Sequence, residues 1–271
     1  MGADRPDACR VVAWRPPVSG ISEVFHAHIV GYHYPTHCHD TWTVLILDDG
    51  AIGYDLDTRH RGAGGNAVTI LPPGVAHNGY PSERFGEFRK RNLYLTSDFL
   101  STDLVGPAVD ASTFHDPELR AAISRLHDRL AAPDPLDVET RLALIAERFR
   151  THLETRAPAP RQPEPALAHQ LRAFLDGHAT TKITLADAAR VFDRTVPHLV
   201  RSFTRQFGIS PYAYVTGVRI EQARTRLLQG EPPGQVAVEV GFHDQAHLTR
   251  HFKRHVSVPP AQYAASGPAI I

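Results

Sequence analysis

The segments TVPHLVRSFTRQFG, residues 195–208, and DQAHLTRHFKR, residues 244–254, repeat one pattern. Each opens on a candidate N-cap, Thr195 or Asp244, and then carries a Leu and a Phe four residues apart: Leu199 with Phe203, and Leu248 with Phe252. Residues so spaced share one face of an α-helix, so each segment has an apolar side to bury and a polar side to expose. A short helix and a turn precede both copies. Thr184 and Asp187 make a capping box ahead of Leu185, Ala188, Ala189 and Phe192, with the turn at Asp193-Arg194. In the second copy Val236–Val240 is the short helix and Gly241 the turn. Two helix-turn-helix units therefore stand in tandem.

In such a unit the first helix braces the second, whose exposed side enters the major groove of DNA. That side needs groups that read base edges: Arg for guanine, Gln for adenine, methyl groups for thymine. The first copy offers Thr195, His198, Val200, Arg201 and Arg205, and the second Gln245, Ala246, Thr249, Arg250 and Lys253. The helix N-terminal amides and flanking Lys and Arg suit phosphates. From Ala166 onward twelve Lys and Arg face seven Asp and Glu, although the whole chain carries 29 of each. A basic half joined to an acidic half directs only the former at a polyanion. A helical bundle with ordinary solvated arginines is the competing account, and the tandem repeat argues against it.

Working outward, Leu167, Leu171 and Phe174 line a helix ending near Gly177. Ser210-Pro211 opens a longer helix bearing Ile220, Ala223 and Leu227, closed by Gly230. Upstream, the segment RAPAPRQPEP at 156–165 has four prolines and predicts an extended linker. Residues 11–95 hold short runs of Val, Ile, Thr and aromatics broken by Gly, Pro and Asp, which predicts a barrel or sandwich. Asp48-Asp49-Gly50 predicts a hairpin turn there. Helices over 118–130 and 137–153, the second capped by Asp137, form a hairpin with a seam of Leu119, Ile123, Leu126 and Leu130 against Val138, Leu142, Ile145, Phe149 and Leu153. The expected fold class is α+β: a sensor barrel over 11–95, a helical hairpin over 96–155, a linker over 156–165 and an all-α DNA-binding region over 166–271.

An apolar fraction of 42% and a charged fraction of 21% fit a folded globular chain. There is no run of eighteen apolar residues to span a membrane, and the amino terminus lacks the basic-then-apolar order of a secretory signal. Two cysteines, Cys9 and Cys38, cannot staple 271 residues and fit a reducing cytosol, so the expected compartment is the cytoplasm.

Residues 183–263 resemble the DNA-binding domain of the AraC/XylS family of transcription regulators. The stretches that carry this are Leu185-Ala186-Asp187-Ala188-Ala189, His198-Leu199-Val200-Arg201-Ser202-Phe203, Phe207-Gly208-Ile209-Ser210-Pro211, Arg219-Ile220-Glu221-Gln222-Ala223, Val240-Gly241-Phe242-His243-Asp244-Gln245, Phe252-Lys253-Arg254 and Val258-Pro259-Pro260. The sequence departs at Pro197, where many members carry a larger side chain. The resemblance implies two recognition helices reading successive major grooves. His37-Cys38-His39 and Gly65 to Pro72-Pro73-Gly74-Val75-Ala76-His77-Asn78 resemble the two signature stretches of the cupin barrel, which such regulators place ahead of the DNA-binding domain.

In metal-binding cupins two histidines, a carboxylate and a later histidine hold one ion. Here His37, His39 and His77 match, while the carboxylate position falls near Thr43 or Val44. Three imidazoles can hold Zn or Fe with one position open, can hydrogen-bond an effector, or can be satisfied within the barrel wall. The effector-site candidates are His37, His39, Trp42, Tyr54 and His77, with His28 and Tyr32 on neighbouring presumptive strands. Expected partners are double-stranded DNA, a small-molecule effector, a second copy joined through the helical hairpin to form a homodimer, and RNA polymerase. No cofactor is required. The expected class is a regulator and not an enzyme; a metal-dependent cupin enzyme and a constitutive DNA binder are the rivals.

Overall fold

A computed structural model describes residues 9–131, 133–154, 166–181 and 184–266; the 156–165 segment and the Pro197 side chain lie outside what it describes. The amino-terminal half folds into antiparallel strands: β1 (Arg10–Trp14), β2 (Ile21–Val30), β3 (Tyr34–His37), β4 (Trp42–Leu56), β5 (Arg59–Gly64), β6 (Val68–Leu71), β7 (His77–Pro81), β8 (Glu87–Leu95) and β9 (Thr113–Phe114). One sheet runs in the order β1-β2-β8-β4-β6-β9, and β3, β7 and β5 pair with the far end of β4 or with one another. The long strand β4 belongs to both groups, pairing with β6 and β8 through its first half and with β5 and β7 through its second.

The crossing occurs at Asp48-Asp49-Gly50, which is therefore a bulge inside one continuous strand and not the hairpin turn that the sequence predicts. The register against β8 shifts between Leu47 and Asp49, and Gly50 takes φ of +75°. A Cβ at Gly50 would stand 2.4 Å from Glu87 O, so the glycine meets both a left-handed backbone and a close approach.

Side chains of a strand alternate between faces, and here both faces are buried. Trp42, Val44 and Ile46 of β4, Val68 and Ile70 of β6, and Leu93 and Leu95 of β8 point outward into one apolar cluster. The helices α2 (Pro117–Arg129) and α3 (Pro135–Glu154), reached through the short α1 (Val105–Asp110), cover that face with the expected seam. The cap of α3 differs from expectation: the helix begins at Pro135, and Asp134 Oδ1 accepts from Asp137 N at 3.2 Å. Asp116 caps α2 and also receives Arg148 and His152 of α3, so one carboxylate closes the hairpin.

The carboxy-terminal half is all helical: α4 (Ala166–Gly177), α5 (Leu185–Val191), α6 (Val196–Phe207), α7 (Pro211–Leu228), α8 (Pro233–Glu239), α9 (Gln245–Val256) and α10 (Pro260–Ala264). The capping box at Thr184 and Asp187 is formed, Ser210 caps α7, and Asp244 caps α9 by accepting from His247 N at 2.7 Å. Thr195 sits at the cap of α6 without a side-chain hydrogen bond, so there the carbonyl alone serves the first turn.

The two halves share a core. Ile220, Ala223 and Leu227 of α7 and Leu248, Phe252 and Val256 of α9 continue one apolar cluster with Phe25, Leu45 and Tyr54 of the inner barrel face. Leu199 and Phe203 of α6 pack in a second cluster that includes Cys38 and Ala76 of the barrel rim. Between the halves Glu23 of β2 and Arg224 of α7 form a fully buried ion pair at 2.5 Å. Among the described residues no helix is long and apolar enough to cross a membrane.

Candidate effector cavity and nucleic-acid interface

The inner faces of the strands enclose a cavity. Alternation alone places Thr43 and Leu45 of β4, Thr69 and Leu71 of β6, and Phe88, Lys90, Asn92 and Tyr94 of β8 on its wall. Strands β3 and β7 bring His37 and His77 into register opposite one another, and His39 follows on the loop after β3. One ring nitrogen of each of the three lies within 4.8 Å of those of the other two. His37 Nδ1 is 2.8 Å from Pro35 O and His77 Nδ1 is 3.0 Å from Val75 O. A carbonyl only accepts, so Nδ1 carries the proton and Nε2 presents a lone pair in both rings. Burial first, then the neighbouring imidazoles, holds His37 and His39 well below the usual range, and burial brings His77 to about 4. Three neutral imidazoles thus converge.

The position of the missing carboxylate is now defined. Thr43 faces the cavity with its hydroxyl 3.4 Å from His39 Nε2, whereas Val44 points to the opposite side of the sheet. Tyr54 also lines the cavity, its hydroxyl held 2.8 Å from both Ser112 and Thr113. Trp42 does not. It is fully buried on the outer face against the helical hairpin, because it precedes Thr43 by one residue and alternation sends it the other way. His28 is directed to the surface and pairs with Glu87 at 2.9 Å, and Tyr32 lies after β2 and not on a strand.

Several cavity residues escaped the sequence reading. The β8 alternation Phe88-x-Lys90-x-Asn92-x-Tyr94 is a signal that could have found them. The Lys90 ammonium sits 4.2 Å from the Tyr34 ring centre and 5.3 Å from that of Phe25. Burial, and then Arg224, brings it down to about 7, and no carboxylate pairs with it among the described residues. Asn92 Oδ1 is buried without a hydrogen-bond partner. The remaining wall comes from the helical half: Ile220, Glu221 and Arg224 of α7 and His255 of α9. Burial pushes Glu221 up to about 7, against the pull of Arg224. No local motif announces these, since each also belongs to an ordinary amphipathic helix.

On α6 the side opposite Leu199 and Phe203 exposes His198, Arg201 and Arg205 with Val200 half-buried, and Thr195 is exposed at its start. On α9 the side opposite Leu248 and Phe252 exposes Gln245, Ala246 and Arg250, with Thr249 and Lys253 half-buried. The Leu and Phe of both helices are completely buried, so each helix is fixed by one face and free on the other. Tyr32 ties α9 to the barrel, donating from its hydroxyl to Lys253 O at 2.9 Å or to Arg254 O at 2.7 Å.

Comparison with known proteins agrees with this arrangement. Residues 19–146 match the AraC-like ligand binding domain, and residues 188–266 match a helix-turn-helix domain. The HTH-type transcriptional regulator YbfI of Bacillus subtilis is 34% identical, over 48% of this chain and 48% of its own length. The HTH-type transcriptional regulator MtrA of Neisseria gonorrhoeae is 23% identical over 87% of this chain and 89% of its own. In fold, the unsaturated fatty acid-bound ToxT of Vibrio cholerae superposes with a TM-score of 0.61 at 13% identity, covering 98% of each chain. With the ligand-binding and helix-turn-helix halves both matched and in this order, the chain belongs to the AraC family of transcription regulators.

Proposed function

We propose that the chain is a cytoplasmic, homodimeric, non-enzymatic regulator that reads two successive major grooves, and whose hold on DNA is set by a small anionic effector in the barrel. The observation that carries this is the composition of the cavity wall, which takes residues from the strands and from α7 and α9 together. An occupant touching both halves has a different affinity for their docked and undocked arrangements, and that difference is the coupling energy. The effector site comprises His37, His39, Tyr54 and His77 of the sequence candidates, joined by Lys90. An enclosed amine brought down to about 7, with no carboxylate partner among the described residues, holds its proton beside an anion, which favours an anionic group in the occupant. The ToxT structures, one with an unsaturated fatty acid and one with a butenoic acid derivative, are in keeping with that chemistry.

The working units are a sensor barrel over 11–95, a helical hairpin over 96–155, a linker over 156–165 and a DNA-binding region over 166–271. Thr195, His198, Val200, Arg201 and Arg205 of the first unit and Gln245, Ala246, Thr249, Arg250 and Lys253 of the second are the DNA contacts. The hairpin uses its seam internally, so its dimer surface is the outer side of α3, where Leu144 is 68% exposed. RNA polymerase is a further partner.

Selection from random duplex DNA, with and without a panel of short- and long-chain carboxylic acids, tests the reading. An enriched motif whose affinity changes with one acid is the expected result. No enrichment at moderate salt overturns the DNA reading, and an acid response that persists in Lys90→Met overturns the cavity reading.

The convergence of three lone-pair-bearing imidazoles favours a second occupant, Zn²⁺ or Fe²⁺. The donor set fits, because the rings are neutral and two are oriented by carbonyls in the manner of metal-ligating histidines. Metal uptake by the purified chain, lost in His77→Ala, tests this.

A further inference from the structure

We propose that His255, near the end of the second recognition helix, is the fourth ligand of a divalent metal held by His37, His39 and His77. The inference rests on the three-histidine metal reading and adds a regulatory consequence: the ion fastens α9 to the barrel.

Three observations bear on it. His255 lines the same cavity, its ring centre 6.0 Å from that of His37 and nearly perpendicular to it. Its Nδ1 is 2.8 Å from His251 O, so the proton again sits on Nδ1 and the Nε2 lone pair is available. His37, His77 and His255 thus use one device: a backbone carbonyl takes the Nδ1 proton and leaves Nε2 free. Tyr32 holds the α9 carbonyls of Lys253 and Arg254 against the barrel, which keeps this helix end over the cavity.

The chemistry suits a fourth imidazole. Ligands around zinc at roughly 2.0–2.1 Å lie no more than about 4.2 Å apart. The three barrel rings, spread over at most 4.8 Å, close that gap by small rotations. No carboxylate comes from Thr43, so the barrel leaves one tetrahedral position unfilled, and the imidazole beside His37 is on the cavity side. Four neutral nitrogen donors favour zinc, cobalt or nickel over magnesium or calcium.

The test uses the full chain stripped with chelator and titrated with Zn²⁺ and, for its visible spectrum, Co²⁺. Wild type takes up one ion per chain, and His77→Ala loses it. His255→Gln weakens Co²⁺ by about tenfold or more and alters its visible bands. In wild type Zn²⁺ slows amide exchange from Lys253 to Ser257, and in His255→Gln it does not. His255→Asn, with circular dichroism melts of both variants, separates ligand loss from misfolding. Wild-type affinity and spectrum in folded His255→Gln, or no added protection of the α9 end, overturns the fourth ligand while leaving the three-histidine site. Failure of wild type to take up either metal overturns both.

Discussion

Gly208 and Ser257 end the two recognition helices in the same left-handed conformation, at φ of +72° and +73°. Ser257 follows Gly208 by forty-nine positions, the offset from Thr195 to Asp244, so the repeat extends from cap to cap. A serine adopts this conformation at a cost of about 1–2 kcal/mol, whereas glycine does so freely. A Cβ at Gly208 would meet only ordinary van der Waals contact, its nearest neighbours being Ala76 Cβ at 3.8 Å and Asp57 O at 3.9 Å.

The pair therefore gives opposite substitutions. Ser257→Gly raises stability by up to about 1 kcal/mol, and Gly208→Ala lowers it by about 1 kcal/mol, both through backbone strain and chain entropy. Urea unfolding of the two variants checks the signs. Equal signs would show that side-chain contacts outweigh φ at one of the two ends.

Arg201→Ala and Arg250→Ala each relax base preference at one position of the bound sequence and weaken binding by about 1–3 kcal/mol. Lys253→Ala weakens all sequences alike and shallows the salt dependence. Titrations of selected duplexes at two salt concentrations separate these behaviours.

The Glu23–Arg224 pair is enclosed, with side-chain exposures of 4% and 7%. Arg224 also donates to Tyr263 and stacks 4.2 Å from the Tyr94 ring centre. Arg224→Ala leaves Glu23 buried without its cation and lowers stability by about 3–5 kcal/mol. Glu23→Gln with Arg224→Met restores part of that loss, since two neutral side chains fill the same volume and Glu221, already pushed towards its neutral form by burial, is the one carboxyl left without its cation. Denaturant midpoints of the single and double variants decide it.

His26 of β2 and His127 of α2 meet at 3.1 Å between sheet and hairpin. Burial first, then Arg91, brings His26 to about 4, and burial holds His127 well below its usual value. Because the folded pKa lies below the unfolded one, the unfolded chain takes up these protons first. Stability is full above pH 6.5 and falls as pH drops from there towards 4. Each group contributes a slope approaching about 1.4 kcal/mol per pH unit. His127→Gln flattens the decline in thermal melts over that window, while an unchanged slope removes His127 as its cause.

Legibility followed the range of the forces involved. Helical spacing of Leu199 with Phe203 and Leu248 with Phe252, and the caps at Thr184, Ser210 and Asp244, are local and were readable from the sequence. So was the His37, His39 and His77 cluster, because two short motifs carry it. Trp42 reads as a cavity residue and lies outside it because a strand buried on both faces gives no apolar alternation from which to tell inside from outside. Asp48-Asp49-Gly50 reads as a hairpin because a bulge and a turn both demand a left-handed glycine. Glu221, Arg224 and His255 carry no local sign of the cavity, since their place there depends on how residues about 130–230 positions apart in the chain are brought together.

Because α7 and α9 roof the barrel, this sensor has no complete chamber of its own. A chimera that keeps the strands but borrows the helices of another regulator would inherit a foreign ceiling, and its small-molecule preference would change along with its operator. Selectivity for small molecule and selectivity for DNA therefore meet in α9, which closes the cavity at its end and turns an exposed side outward.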